Sequence, residues 1–293
     1  MKQLKLSLQH VVFPVWLLLV GAMAFWFYRS GVEISILLTA AGIASMVLVG
    51  VLERVLPYRT DWNKSRGDVP TDMISFALIA GIFEPVWKSI GVASALWLSI
   101  KIAPYGVRLF PADIPLAAQV VLVFLIAEFG KYWVHRWHHE NSFLWDFHAM
   151  HHVSTRLYVL NNFRLHPFNH LITYLFSLLP LALIGAPTEP LLVYSSVFIG
   201  VTFFQHANVD LKYGALNYVF STNVLHRWHH SKKLSEGNRN YGSVLMIWDI
   251  VFGTFHYPAE AAAPENIGIS NIGYPEQGYL SQVLWPVKAR CCA

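Results

Sequence analysis

Four stretches of this chain are long and apolar enough to leave water altogether. Residues 11–28 read VVFPVWLLLVGAMAFWFY and residues 34–52 read ISILLTAAGIASMVLVGVL. A third run covers 116–134, and a fourth, 73–100, is interrupted by Glu84, Pro85 and Lys88. A helix needs about 20 such residues to cross the hydrocarbon of a bilayer. In lipid each backbone N–H and C=O must find its partner within the segment or within a closed barrel, so isolated apolar runs of this length predict helices. The charges inside 73–100 predict a kinked or partly water-lined helix. Two shorter runs, 171–186 and 189–205, flank the turn-like GAPTEP and predict a helical hairpin, short for a full crossing. The expected fold is therefore an all-α, polytopic membrane bundle. Composition agrees, because only 13% of the residues are charged, against roughly a quarter in soluble domains.

Several function classes fall away. The basic residues form no long run and match no reader motif, which argues against nucleic acid as a partner. The two cysteines, Cys291 and Cys292, are adjacent, so no disulfide framework exists. The first apolar run lacks a small-residue cleavage site and is followed by further spans, so it is expected to be an anchor and not a removable signal. Lysine and arginine accumulate on the inner side of membranes. With Lys2 and Lys5 inside, successive crossings place Arg54, Arg59, Lys64 and Arg66 inside as well, and Arg29, Lys101 and Arg108 outside. Every histidine from His135 onward then falls at the inner face. A re-entrant 73–100 would invert this bias, so a full crossing is expected.

Histidine placement is the second constraint. The pentapeptide HRWHH occurs at 135–139 and again at 226–230. Residues three and four apart share a helix face. His135 and His139 can thus point one way, as can the trios His148/His151/His152 and His226/His229/His230. His166, His170 and His206 complete the clusters. Unpaired imidazoles at low dielectric are costly, and neutral imidazole is the commonest metal ligand. His10, His170 and His256, taken singly, read as ordinary interfacial residues. The clustered ones predict metal. Eight or nine convergent histidines exceed one coordination sphere and suit two ions, although imidazole accommodates iron, zinc and copper alike.

These strings, HRWHHENSFLWDFHAMHH, FRLHP, FQHANVD and LHRWHHSKK…NYGSVLMIWDIVFGTF, resemble the fatty acid hydroxylase/sterol desaturase superfamily of integral-membrane di-iron oxygenases. The likeness runs over about residues 53–257 and looks closest to alkylglycerol monooxygenase and bacterial membrane-lipid hydroxylases. It implies one integral-membrane domain over 1–293, with extra N-terminal spans in 1–52 and a tail from 258 to 293. It also implies metal ligation by His135 and His139; by His148, His151 and His152; by His206; and by His226, His229 and His230. Many relatives carry one more histidine where this chain has Leu225. His138 or His166 takes that role, or the site has one ligand fewer. Glu128, Asp146, Asp249, Asn240 and Tyr241 are candidates for orienting the ligands. Trp137, Trp145, Trp228 and Trp248 read as interfacial anchors.

The resemblance implies O₂-dependent oxidation of a lipid C–H bond by two ferrous ions. The charge bias puts the centre at the inner face. A short chain without an endoplasmic-reticulum retrieval signal points to a bacterial inner membrane, which makes that face the cytoplasmic one. Hydroxylation is the first expectation. Desaturation and ether-lipid cleavage are alternatives at the same site, and a non-catalytic metal-binding membrane protein is the rival from another class. No flavin, nicotinamide or haem-attachment signature occurs. Electrons are expected from an external donor: a ferredoxin, a b-type cytochrome, a reductase or a reduced pterin.

Overall fold

The computed structural model describes residues 2–105, 109–258, 263–264, 266–270 and 273–291; Arg108 and Cys292 lie outside the described residues. The architecture is helical, with isolated β-bridges and no strand among those residues. The long helices are α1 (Lys2–Arg29), α2 (Ile34–Val55), α3 (Val69–Leu78), α4 (Glu84–Ile102), α5 (Leu116–Glu140), α6 (Ser142–His152), α7 (Pro167–Leu183) and α8 (Thr188–Gln205). Leu6–Arg29, Ile34–Val55, Val69–Ile102 and Leu116–Glu140 are each long and apolar enough to cross a membrane, so the protein is integral to one.

The interrupted run 73–100 is one continuous helical rod, not a re-entrant loop. Pro85 has no N–H to give to the carbonyl a turn behind it. The chain absorbs this as a π-turn over Ile79–Phe83, where the Glu84 amide reaches back five residues to the Ile79 carbonyl. Glu84 and Lys88 pair with each other at 2.6 Å on the helix surface. Each thereby lessens the other's cost in an apolar setting.

Contacts at the two ends of the bundle fix the topology. Gln9 at the start of α1 donates to Asp210, just beyond α8 (2.6 Å). The α2–α3 loop joins the same end, since the Arg59 amide donates to Asn208 (2.9 Å) and Pro57 bridges Val209. At the other end, Tyr28 near the end of α1 bonds Glu189 at the start of α8 (3.3 Å). Phe110 before α5 packs there with Leu181 of α7 and with Ile184 and Ala186 of the α7–α8 turn. α1, α2, the continuous rod Val69–Ile102, α5, α7 and α8 therefore run between one end and the other. α7 and α8 extend the full height that their lengths alone left doubtful. α8 forms the spine: it packs on α1, α2 and α5, and α7 packs on α4 and α5. Between α5 and α7 the backbones meet closely, because a Cβ at Gly130 would lie 1.8 Å from the Phe176 carbonyl oxygen. Only glycine permits that approach.

Candidate metal centre

All four histidine boxes lie at the end of the bundle that also carries Arg54, Arg59, Lys64 and Arg66. α5 runs unbroken from its apolar half into the first HRWHH. Asn141 then ends it and begins α6, its side-chain oxygen accepting the amide protons of Phe143 and Leu144 (2.9 and 3.2 Å), an N-cap. α6 packs against α5 with the His148 ring 4.9 Å from His135 and 5.0 Å from His139. His206 terminates α8. The second HRWHH lies on α9 (Asn223–His229), capped by the Thr222 hydroxyl.

Nine histidines converge as two groups. In the first, one nitrogen from each of His135, His139, His148, His152 and His229 lies within 4.8 Å of all the others; in the second, the same holds for His151, His206, His226 and His230. These are the nine residues singled out from the boxes. The groups adjoin, with His152 stacked on His230 at 4.2 Å between ring centroids. Each H-x-x-H-H trio is divided between them. The i,i+4 pair His148/His152 goes to the first and His151 to the second; on α9 the pair His226/His230 goes to the second and His229 to the first.

The two undecided histidines lie outside both groups. His166 caps α7, its Nδ1 accepting the Phe168 amide (3.0 Å) while its Nε2 donates to the Val283 carbonyl (3.1 Å). Both ring nitrogens are thus engaged. His138 donates Nδ1–H to the Val134 carbonyl (2.7 Å) one turn back on its own helix. Its buried Nε2 has no partner. Leu225, where a further histidine was expected from relatives, is fully buried hydrocarbon.

Hydrogen bonds settle which nitrogen is free on six of the nine rings. Nδ1–H of His135 donates to the Tyr241 carbonyl (2.8 Å), that of His151 to Arg164 (3.3 Å) and that of His229 to Arg239 (2.8 Å). His139, His148 and His206 donate to the side-chain oxygens of Asn238, Asn169 and Asn161 (3.1, 3.0 and 2.7 Å). Each of these six rings therefore presents a bare Nε2 lone pair to the interior. Two such lone pairs, on His206 and His151, face each other at 3.2 Å. His226 Nε2 lies 2.9 Å from that of His206 and 3.1 Å from that of His230. In the first group Nε2 of His135, His139 and His229 is buried with no partner. Converging lone pairs repel unless a cation lies among them, so the donor set fits metal ions. Burial also keeps the imidazoles neutral: it pushes His151 and His229 down to about 3 and holds His148, His152, His206, His226 and His230 well below the usual imidazole range.

Two of the acidic candidates, Glu128 and Asp249, act one step further out than expected. Glu128 does not reach His135. Its carboxylate accepts the amides of Val244 (2.5 Å) and Leu245 (3.1 Å) and the Tyr194 hydroxyl (2.9 Å). Asp249 accepts the amides of Tyr241 (2.8 Å) and Gly242 (2.7 Å) and the Thr254 hydroxyl (2.7 Å). Both carboxylates thus hold the 241–245 loop, and that loop holds His135 through the Tyr241 carbonyl. The N-Y-G string follows from this job. Asn240 takes the left-handed conformation at φ 56°, which asparagine tolerates better than most residues. Its side chain ties together the Leu225 and His256 carbonyls and the His256 amide. A Cβ at Gly242 would lie 2.4 Å from the Leu245 carbonyl oxygen and 3.0 Å from the Asp249 carboxylate.

Asn161, Asn169 and Asn238, which hold three rings, escape the sequence reading, since asparagine near a box looks like turn chemistry. The tryptophans divide. Trp137 is 39% exposed, as an anchor would be. Trp145 instead packs its ring on His139 and His152 (5.2 and 5.5 Å), and Trp228 is buried against His256.

The fold and site together define a membrane-embedded helical protein with a histidine-rich centre able to hold metal. Residues 120–254 match the fatty acid hydroxylase family. Ornithine lipid hydroxylase OlsE of Rhizobium tropici is 38% identical over 247 residues, 83% of this chain and 73% of that one. Alkylglycerol monooxygenase of Homo sapiens is 33% identical over 132 residues, which is 45% of this chain and 29% of that protein. Methylsterol monooxygenase 2-2 of Arabidopsis thaliana is 24% identical over 172 residues, 58% of this chain and 60% of that one. No solved structure matches the chain. This chain belongs to the fatty acid hydroxylase family.

Proposed function

We propose that this protein is a di-iron, O₂-dependent hydroxylase of a membrane lipid, acting on a C–H bond of an alkyl or acyl chain. The observation that carries the reading is the division of nine histidines, from four separate segments, into sets of five and four with their free nitrogens converging. In this reading His135, His139, His148, His152 and His229 hold one ion, and His151, His206, His226 and His230 hold the other. Iron at these positions supplies dioxygen activation, the chemistry that side chains alone lack. The chain's own residues fix ring tautomers through neutral carbonyl and amide oxygens, keep the imidazoles unprotonated by burial and shut out bulk water.

Hydroxylation is favoured over desaturation by the relatives, which are named hydroxylase or monooxygenase. Because ornithine lipid hydroxylase OlsE is 38% identical and matches 83% of this chain, an ornithine lipid is the first substrate to test. The single-domain organisation over 1–293 is part of the proposal, supported by the packing of α1 and α2 on α8. So is a bacterial inner membrane with the centre on the cytoplasmic side, supported by the basic residues at the histidine end.

Two measurements test this together. Elemental analysis of protein purified after growth on iron should give about two irons per chain. Lipid mass spectrometry of cells with and without the gene should show one lipid class gaining one oxygen. Two metals with an unchanged aerobic lipid profile would point to the non-catalytic alternative; one metal or none would refute the centre.

A further inference from the structure

A pocket of about 260 Å³ opens beside the histidine centre, walled by Arg59, Arg66 and Lys232 over Trp62 and Thr155. Arg59 and Arg66 share Asp61 (3.1 and 3.4 Å). Arg66 also donates to the Thr155 carbonyl and hydroxyl (3.1 and 2.9 Å). Arg54, Lys64 and Lys233, next to these segments in the chain, are exposed too. Among the described residues of these segments, six exposed cations stand with two carboxylates, Asp61 and Glu236.

The floor of this pocket is the backbone that carries the histidines. Thr155 follows His152 by three residues and Lys232 follows His230 by two. The Gly268 amide ties the layer together by donating to the His230 carbonyl (3.0 Å), and the Lys232 amide donates to Asn266 (3.0 Å). His152 and His230 are the pair that stack across the boundary between the two groups. One layer of chain therefore separates a basic surface from the junction of the metal sets. The wall cations Arg59, Arg66 and Lys232 are exposed, which suits charge complementarity with a large partner.

We propose that this face docks an electron-carrier protein through an acidic surface, with carboxylates of the carrier entering between Arg59, Arg66 and Lys232. The inference rests on the oxygenase reading, whose balance is RH + O₂ + 2e⁻ + 2H⁺ → ROH + H₂O. Two one-electron deliveries from a reduced iron–sulfur carrier supply the electrons, and water supplies the protons.

The test uses the full-length, iron-loaded protein in nanodiscs, with a reduced acidic [2Fe–2S] ferredoxin as probe. Arg59→Glu/Arg66→Glu/Lys232→Glu is compared with wild type and with Lys101→Glu at the opposite end. At low salt, ferredoxin binding and ferredoxin-driven turnover should fall roughly 10- to 100-fold in the triple variant. Wild type should approach that level as salt rises, while Lys101→Glu stays at wild type. Iron content and turnover driven by dithionite with a small neutral mediator should be unchanged. Equal loss with the small reductant would mean that the cations are structural, and undiminished ferredoxin binding would overturn the docking site outright. Loss that follows the anionic-lipid content of the nanodisc and not the carrier would assign the face to the membrane surface. If no preparation oxidises lipid, the salt-dependent binding still decides the docking, separately from the activity.

Discussion

Asp249 offers the sharpest test of how the centre is held, because it touches no metal-facing ring. Its buried carboxylate accepts three hydrogen bonds, from the Tyr241 and Gly242 amides and the Thr254 hydroxyl. In Asp249→Asn one oxygen remains, and the new amide turns its own N–H groups toward donors. With that oxygen at the Oδ1 position the Tyr241 and Thr254 bonds persist without charge assistance and the Gly242 bond is lost, so at least one charge-assisted bond, about 1.5–3 kcal/mol of local stabilisation, goes. The Tyr241 carbonyl is then free to drift from His135 Nδ1, now 2.8 Å away. Loss of such an outer partner lowers metal affinity by about 10- to 100-fold. The effect should be confined to one ion, because the second set hangs on Arg164 and Asn161. A chelator titration followed by elemental analysis should show one iron released at about 10- to 100-fold lower chelator than in wild type, and the other unmoved. Thr254→Val, which removes only the hydroxyl, should shift the same iron by less. Two irons leaving together, or both holding at wild-type affinity, would refute the linkage through the 241–242 backbone.

Other expectations follow from the same geometry. His151→Ala leaves three histidines in the second set and His229→Ala leaves four in the first; each should abolish lipid oxidation and lower bound iron. His166→Ala, whose ring only caps α7 and reaches Val283, should keep both irons and lose about 1 kcal/mol of stability in thermal denaturation. Asp72→Ala strands the buried guanidinium of Arg164, whose carbonyl holds His151. It should destabilise by about 3–5 kcal/mol and weaken the second iron in the chelator assay, whereas weakening of the first alone would contradict the assignment. Gly130→Ala drives a Cβ into the Phe176 carbonyl and should lower the melting point by an amount corresponding to about 1–3 kcal/mol.

The membrane helices were legible because lipid removes alternatives: an apolar run of sufficient length has one way to satisfy its backbone. Even the break near Pro85 could be anticipated, although its form as a π-turn could not, since that depends on which carbonyl Glu84 finds. The nine histidines were legible because imidazole is rarely clustered without cause. Their division into five and four was not. The sharing of one trio between two sets depends on the crossing of α6 and α9, which is a tertiary fact. The carboxylates misled for a related reason. Glu128 lies two turns before His135 and suggested direct contact, yet its oxygens are taken by the Val244 and Leu245 amides. His166 was left open in the sequence because capping a helix, the role its ring takes here, cannot be separated from ligation by composition.

The repeated HRWHH shows how little a motif says without its neighbours. In both copies the first and last histidines are an i,i+4 pair facing one metal set: His135 and His139 the first, His226 and His230 the second. The middle histidine is where the copies part. His229 donates Nδ1–H to the Arg239 carbonyl, an acceptor supplied by the loop that follows α9, and so turns Nε2 into the first set. His138 finds no such loop. α5 continues straight behind it, and the nearest acceptor is its own helix at Val134. One pentapeptide therefore contributes two rings to the centre from a long helix and three from a short one. The acceptor that the surrounding backbone offers the middle ring, and not the string itself, decides the count.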